Sequence, residues 1–107
     1  MNHNKIQEIK GLDNLESLRE LRLNDNQITE LKGLRSLEKL ESLWLANNQI
    51  NEIKNLESLS ALNQIDLYNN KIPLDIVEKC RDLSEKAGIV LDAQKCVEYC
   101  RKNKKKV

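Results

Sequence analysis

Three cysteines, Cys80, Cys96 and Cys100, and one histidine, His3, are the residues of this 107-residue chain whose types could hold a metal or attack a substrate. Cys96 and Cys100 stand one helical turn apart, and with Cys80 they would offer three thiolates to zinc. A tetrahedral site needs a fourth ligand, and His3 lies at the opposite end of the sequence. A cysteine nucleophile would need a base within hydrogen-bond reach and an oriented oxyanion site. No Gly-rich phosphate loop, paired-carboxylate site or Ser/His/Asp set can be assembled either. The expectation is a non-enzyme with no catalytic residue, no metal and no cofactor, whose cysteines pack as small hydrophobes. Their odd number, all after position 79, also argues against a disulfide framework.

The elements that carry these residues emerge from a repeat. LRLNDNQITELKGL, starting at Leu21, returns 22 residues later as LWLANNQINEIKNL, starting at Leu43. In the frame that begins three residues earlier, at Leu18 and Leu40, a third row starts at Leu62 with LNQIDLYNNKIP. Upstream, Met1, Asn4, Ile6, Ile9, Leu12 and Leu15 fall on the columns of Leu23, Asn26, Ile28, Leu31, Leu34 and Leu37, so the chain opens part-way through a repeat. Leu21 with Leu23, Leu43 with Leu45, and Ile65 with Leu67 are i, i+2 pairs, which place both side chains on one face of a strand. Strands this short are stable only when stacked in parallel, each repeat burying the next. The column Asn4, Asn26, Asn48 and Asn70 sits where each strand must bend. Backbone groups lose their sheet partners there, and a carboxamide can satisfy them in the turns above and below.

This LxxLxLxxN spacing resembles the leucine-rich repeat family, and most closely its 22-residue subclass, similar to internalins and to a regulatory subunit of protein phosphatase 1. The resemblance covers residues 1–72. It implies an α/β fold: a right-handed solenoid with a short parallel sheet on its concave face and a helical C-terminal cap. It also marks the four asparagines as a structural ladder.

After Asn70 the phrase stops. Ile76, Cys80, Leu83 and Ala87 form a helical stripe, with Pro73 suited to its first turn and Gly88 to its end. IVLD reads as one more strand, Ile89 and Leu91 lying 24 residues after Ile65 and Leu67. Asp92 can then cap a last helix with Ala93, Cys96, Val97 and Cys100 inward. Residues 73–103 are thus expected to be a lengthened last repeat with a helical cap, and 104–107 a basic disordered tail.

Charge narrows the partner. The chain holds 18 Lys and Arg against 17 Asp and Glu, but five of the basic residues lie in the last seven positions, leaving 13 bases against 17 acids over residues 1–100. A body of that sign argues against general nucleic-acid binding. No long apolar stretch suggests a signal peptide or membrane span, so a cytoplasmic setting is expected. The tail RKNKKKV reads first as a solvated segment and only second as an electrostatic tether.

Strand alternation leaves Glu20, Arg22, Asn24, Ser42, Trp44, Ala46, Gln64, Asp66 and Tyr68 facing outward, together with Val90 and Asp92. These columns vary where the inward ones repeat. Trp44 between Arg22 and Asp66, with Tyr68 diagonal to it, has the composition of an interface hot spot. Glu20, Arg22, Asn24, Ser42, Trp44, Gln64, Asp66 and Tyr68 are therefore the candidate partner-binding residues. The expected function is a protein–protein interaction module, an adaptor or regulatory binding protein. The alternative is a scaffold unit that self-associates through an uncapped N-terminal edge, where nothing precedes Met1 to cover Ile6 or Leu18.

Overall fold

The first member of every inward pair, Leu21, Leu43 or Ile65, is the middle residue of a three-residue strand, and the second, Leu23, Leu45 or Leu67, lies just past its end. The computed structural model describes residues 5–81 and 91–103. Within them β1 (Glu20–Arg22), β2 (Ser42–Trp44) and β3 (Gln64–Asp66) form a parallel sheet in the order β1-β2-β3. The register advances by one repeat per strand, aligning Leu21, Leu43 and Ile65 on the core side and Arg22, Trp44 and Asp66 on the other. Hydrogen bonding continues past the strand ends, Leu23 N–H donating to Trp44 O at 2.7 Å and Leu45 N–H to Asp66 O at 2.8 Å.

The return path is built from leucines three apart. Leu15 N–H bonds to Leu12 O and Leu18 N–H to Leu15 O, and the same pair of bonds recurs at Leu34, Leu37 and Leu40 and at Leu56, Leu59 and Leu62. Three residues per turn bring i and i+3 side chains to the same side, so these leucines, Leu15 apart, meet Leu21, Leu43, Leu45 and their neighbours in one core. Burial of each such side chain stabilises by about 1.5–3 kcal/mol. Leu15 departs from the expected inward column: it is 44 % exposed, whereas its counterparts Leu37 and Leu59 are fully buried. Leu37 is packed between a preceding and a following repeat, and Leu59 is reached on its far side by the C-terminal helix, Gln94 donating to the Leu59 carbonyl at 3.4 Å.

Two further columns bend the backbone. Asp25, Asn47 and Asn69 have φ of 61°, 61° and 56°, and Gly11, Gly33 and Asn55 have φ of 78°, 72° and 63°. The left-handed region favours Gly, Asn and Asp, and these types recur at both places.

The asparagine column is bonded in one direction. Asn48 accepts from Ile28 N–H at 3.1 Å and donates to the carbonyls of Leu23 (2.9 Å) and Leu45 (3.0 Å). Asn70 accepts from Ile50 N–H at 2.9 Å and donates to Leu45 O (2.8 Å) and Leu67 O (3.1 Å). Asn26 accepts from Ile6 N–H at 3.2 Å and donates to Leu23 O at 3.0 Å. The expected reach into the turns on both sides is thus corrected: each amide serves its own turn and the preceding one, because the next asparagine already occupies the place that serves the following turn. Asn4 lies outside the described residues.

Beyond the sheet, α1 (Leu74–Cys80) and α2 (Ala93–Asn103) pack on one another. Pro73 stands immediately before α1, its carbonyl accepting from Ile76 and Val77. The expected stripe through Gly88 is not one helix. Arg81 is extended (φ −68°, ψ 139°) and forms a single antiparallel bridge with Leu91, while Asp92 N–H takes the Cys80 carbonyl at 2.7 Å. That long-range bond uses a carbonyl the helix would need to continue. Leu91 pairs with Arg81 in that antiparallel bridge; Leu83, Ala87, Gly88, Ile89 and Val90, on which the rest of the expected helix and most of the expected strand fall, lie outside the described residues. Asp92 caps α2, accepting from Lys95 N–H at 3.1 Å, and Ala93, Cys96, Val97 and Cys100 are buried. Gln94 ties α2 to the return path by donating to Leu62 O at 2.7 Å. No described helix is long and apolar enough to cross a membrane.

Candidate functional site

Side chains on the outer face of the sheet are set by the strand alternation. Glu20, Arg22, Ser42, Trp44, Gln64 and Asp66 occupy β1 to β3, and Asn24 and Tyr68 follow two residues beyond β1 and β3. Ala46, expected to face out with them, is buried. It is tied down by its own backbone, since Ala46 N–H donates to Asn24 Oδ1 at 2.8 Å. That bond also turns Asn24 from a surface contact into a brace between neighbouring repeats.

Glu20 organises one end of the face. Its Oε2 accepts from the Trp44 indole N–H at 3.0 Å and from Arg22 Nη2 at 3.2 Å. These two donors, the indole first, hold the Glu20 carboxyl below its ordinary value. Charge-assisted bonds of this kind fix the ring of Trp44, which is half-buried. Ser42 Oγ donates to Gln64 Oε1 at 3.2 Å, linking β2 to β3.

The other end is different in kind. Asp66 Oδ1 accepts from the Tyr68 N–H at 3.0 Å, and Tyr68 is 76 % exposed, the most exposed large hydrophobic side chain among the described residues. Trp44, Asp66 and Tyr68 line a groove of about 490 Å³ together with Ile72, Val77 and Leu91. The sequence pattern brought Trp44, Asp66 and Tyr68 together; it did not reveal Ile72, Val77 and Leu91, because their approach depends on the turn at Pro73 and the bridge at Arg81.

A second row was not evident from the spacing of the leucines. Asn47 Nδ2 donates to Asp25 Oδ1 at 2.6 Å and Asn69 Nδ2 to Asn47 Oδ1 at 2.9 Å, a chain of side chains running along the sheet margin. The recurring triplets NDN, ANN and YNN carry its signal. The face itself is small: three strands of three residues span about 150 Å² before side-chain relief at the usual spacings, against about 800 Å² per partner in a standard interface. Binding through it draws on the flanking loops or is weak.

The cysteines are structural neighbours. Cys80, Cys96 and Cys100 are free and buried, and no cluster of three His, Cys, Asp or Glu among the described residues could hold a metal. Cys96 is pushed well above the ordinary thiol range by its hydrogen bond with Cys80 and by burial. The same bond lowers Cys80, so Cys96 keeps the proton. Burial pushes Cys100 up to about 12. His3 lies outside the described residues.

The chain matches the family described as leucine-rich repeats (two copies) over residues 1–36 and 38–84. No curated protein sequence matches it significantly.

Proposed function

Because the chain belongs to the leucine-rich repeat family, whose domains generally mediate protein–protein interaction, we propose that it is a non-catalytic adaptor or regulatory module that binds another protein through the outer, concave face of its sheet. One observation carries this reading: Tyr68 stands 76 % exposed beside the half-buried Trp44 on a face whose residues vary while the core columns repeat. Tyr and Trp are enriched at interface centres. The hydrogen-bonded Asn26, Asn48 and Asn70 serve as a ladder that stiffens a solenoid beneath this face, and α2 covers its last repeat. The proposed setting is the cytosol, where three unpaired thiols stay reduced.

Affinity capture with the wild type and with Trp44→Ala/Tyr68→Ala tests the proposal. Proteins retained by the wild type are expected to be lost from the double variant, each truncation costing about 2 kcal/mol at a true hot spot. An unchanged capture profile from a variant that melts like the wild type would remove the sheet face as the binding surface.

A second reading rests on Leu15, 44 % exposed on the first repeat, where Ile6 and Leu18 are only half-buried against the core. In this reading the apolar edge joins two copies. Light scattering should then show a dimer that Ile6→Asp converts to a monomer, since a charge is not left unpaired in an apolar contact. A wild type monomeric at every concentration removes it.

A further inference from the structure

Asp66 differs from the other charged groups of the sheet face. Glu20 and Arg22 neutralise one another, whereas Asp66 has no ionic partner among the described residues, and of its two oxygens only Oδ1 is engaged, by the backbone of Tyr68. Its strand neighbour in register is Trp44. Tyr68 follows two residues later, on the same face. An unpaired carboxylate therefore lines the groove of about 490 Å³ with two aromatic rings. The volume lies within the range of about 300–1,000 Å³ usual for ligand sites.

The chemistry selects a cation. Aromatic faces carry the negative end of the ring quadrupole and attract cations within about 6 Å of the centroid. The carboxylate adds to this attraction and repels anions. Among cationic side chains a guanidinium fits better than an ammonium: it is planar, stacks on aromatic rings, sheds water more readily and can pair with a carboxylate through two N–H groups. Trp44 is also pre-positioned, because its own N–H is tied to Glu20 at 3.0 Å on the other side, so little ordering remains to be done on binding.

We propose that Trp44, Asp66 and Tyr68 form a receptor for one arginine side chain of the partner protein, the guanidinium stacked on an aromatic ring and paired with the Asp66 carboxylate. This rests on the reading of the sheet as the binding face and adds to it the chemical class of the residue bound.

Titration of the isotope-labelled full chain with N-acetylarginine amide, followed by NMR, tests the site. Trp44 is the single tryptophan, so its indole N–H gives one unambiguous signal. That signal and the Tyr68 amide should shift together and saturate. The citrulline analogue, which keeps the shape and loses the charge, should bind at least about tenfold more weakly, and the lysine analogue should also be weaker. Asp66→Asn keeps an oxygen for the Tyr68 N–H and removes only the charge; it should weaken arginine binding at least about fivefold. Tyr68→Ala, at an exposed position, should weaken it without disturbing the fold. Equal shifts with citrulline, an unaffected Asp66→Asn or shifts that never saturate would each overturn the site, and equal binding of lysine would overturn the guanidinium assignment. The two levels separate in the capture experiment. If Trp44→Ala/Tyr68→Ala loses the partner while Asp66→Asn keeps it, the arginine receptor falls and the binding face stands; if the double variant keeps the partner, the face itself falls.

Discussion

The carbonyl oxygen of Ile9 lies 2.6 Å from the point at which a Cβ on Gly33 would stand. One repeat later the equivalent carbonyl, Leu31 O, is met by a side chain: Asn55, on the Gly33 column, donates its Nδ2 to it at 2.6 Å. A crowded contact in one turn has become a hydrogen bond in the next. Both residues have positive φ, 72° and 63°.

This contrast inverts the usual order of substitution by size. Gly33→Ala meets the Ile9 carbonyl with a methyl group that cannot donate, in a left-handed conformation that costs a non-glycine residue about 1–2 kcal/mol; a loss above about 2 kcal/mol is expected. Gly33→Asn is larger, yet it tolerates that conformation better and can repeat the bond of Asn55. The denaturant midpoint of Gly33→Asn should lie above that of Gly33→Ala, and the reverse order would show that the two turns are not equivalent.

The 22-residue spacing spells out the core and the outer face because alternation within a strand and repetition between turns are both local properties of the letters. Leu21, Leu43 and Ile65 needed nothing else to be placed inward, nor Trp44, Asp66 and Tyr68 outward. The left-handed columns at Asp25 and Gly33 are equally visible in the recurrence of Asn, Asp and Gly, although the leucine spacing alone does not point to them. What the letters do not carry is contact between distant segments. Ile76, Cys80, Leu83 and Ala87 keep helical spacing, yet α1 stops at Cys80, whose carbonyl takes the Asp92 N–H. The groove wall at Val77 and Leu91 follows from that same event, as does the absence of Leu91 from the parallel sheet.

Asn48 should be the more costly of the buried amides to replace by an isosteric hydrocarbon. Asn48→Leu leaves the Ile28 N–H without its acceptor, an expected loss of about 1–3 kcal/mol. The carbonyls suffer less, since Leu23 O retains Asn26 and Leu45 O retains Asn70. Chemical denaturation measures the loss, and hydrogen exchange should be fastest at Ile28 in the variant. A midpoint equal to wild type would show that this amide contributes nothing to the fold.

The thiols should be chemically silent while the chain is folded. Cys96 and Cys100 hold their protons far into the alkaline range, and all three cysteines are buried, whereas alkylation needs an accessible thiolate. Iodoacetamide at pH 8 should label none of them in buffer and all three in denaturant, as counted by mass spectrometry. Purified protein should contain no stoichiometric zinc, and a chelator should leave the melting temperature unchanged. One tightly held zinc, or one cysteine that labels without unfolding, would reassign the contact between α1 and α2.

Trp44 should report the titration of Glu20. The indole bond, and after it Arg22, lower the Glu20 pKa from 4.5, so the bonded arrangement is complete above that value and is lost as pH falls through the lower, folded-state one. Tryptophan emission from the single indole should therefore change with a midpoint below 4.5, while far-UV circular dichroism across the same range separates this step from acid unfolding. Removing the second donor with Arg22→Gln should move the midpoint upward without bringing it to the ordinary value, because the indole still donates. Glu20→Gln should flatten the transition altogether. A midpoint at or above 4.5 in the wild type would mean that the indole does not favour the ionised carboxylate, and that Trp44 is not held in place from the Glu20 side.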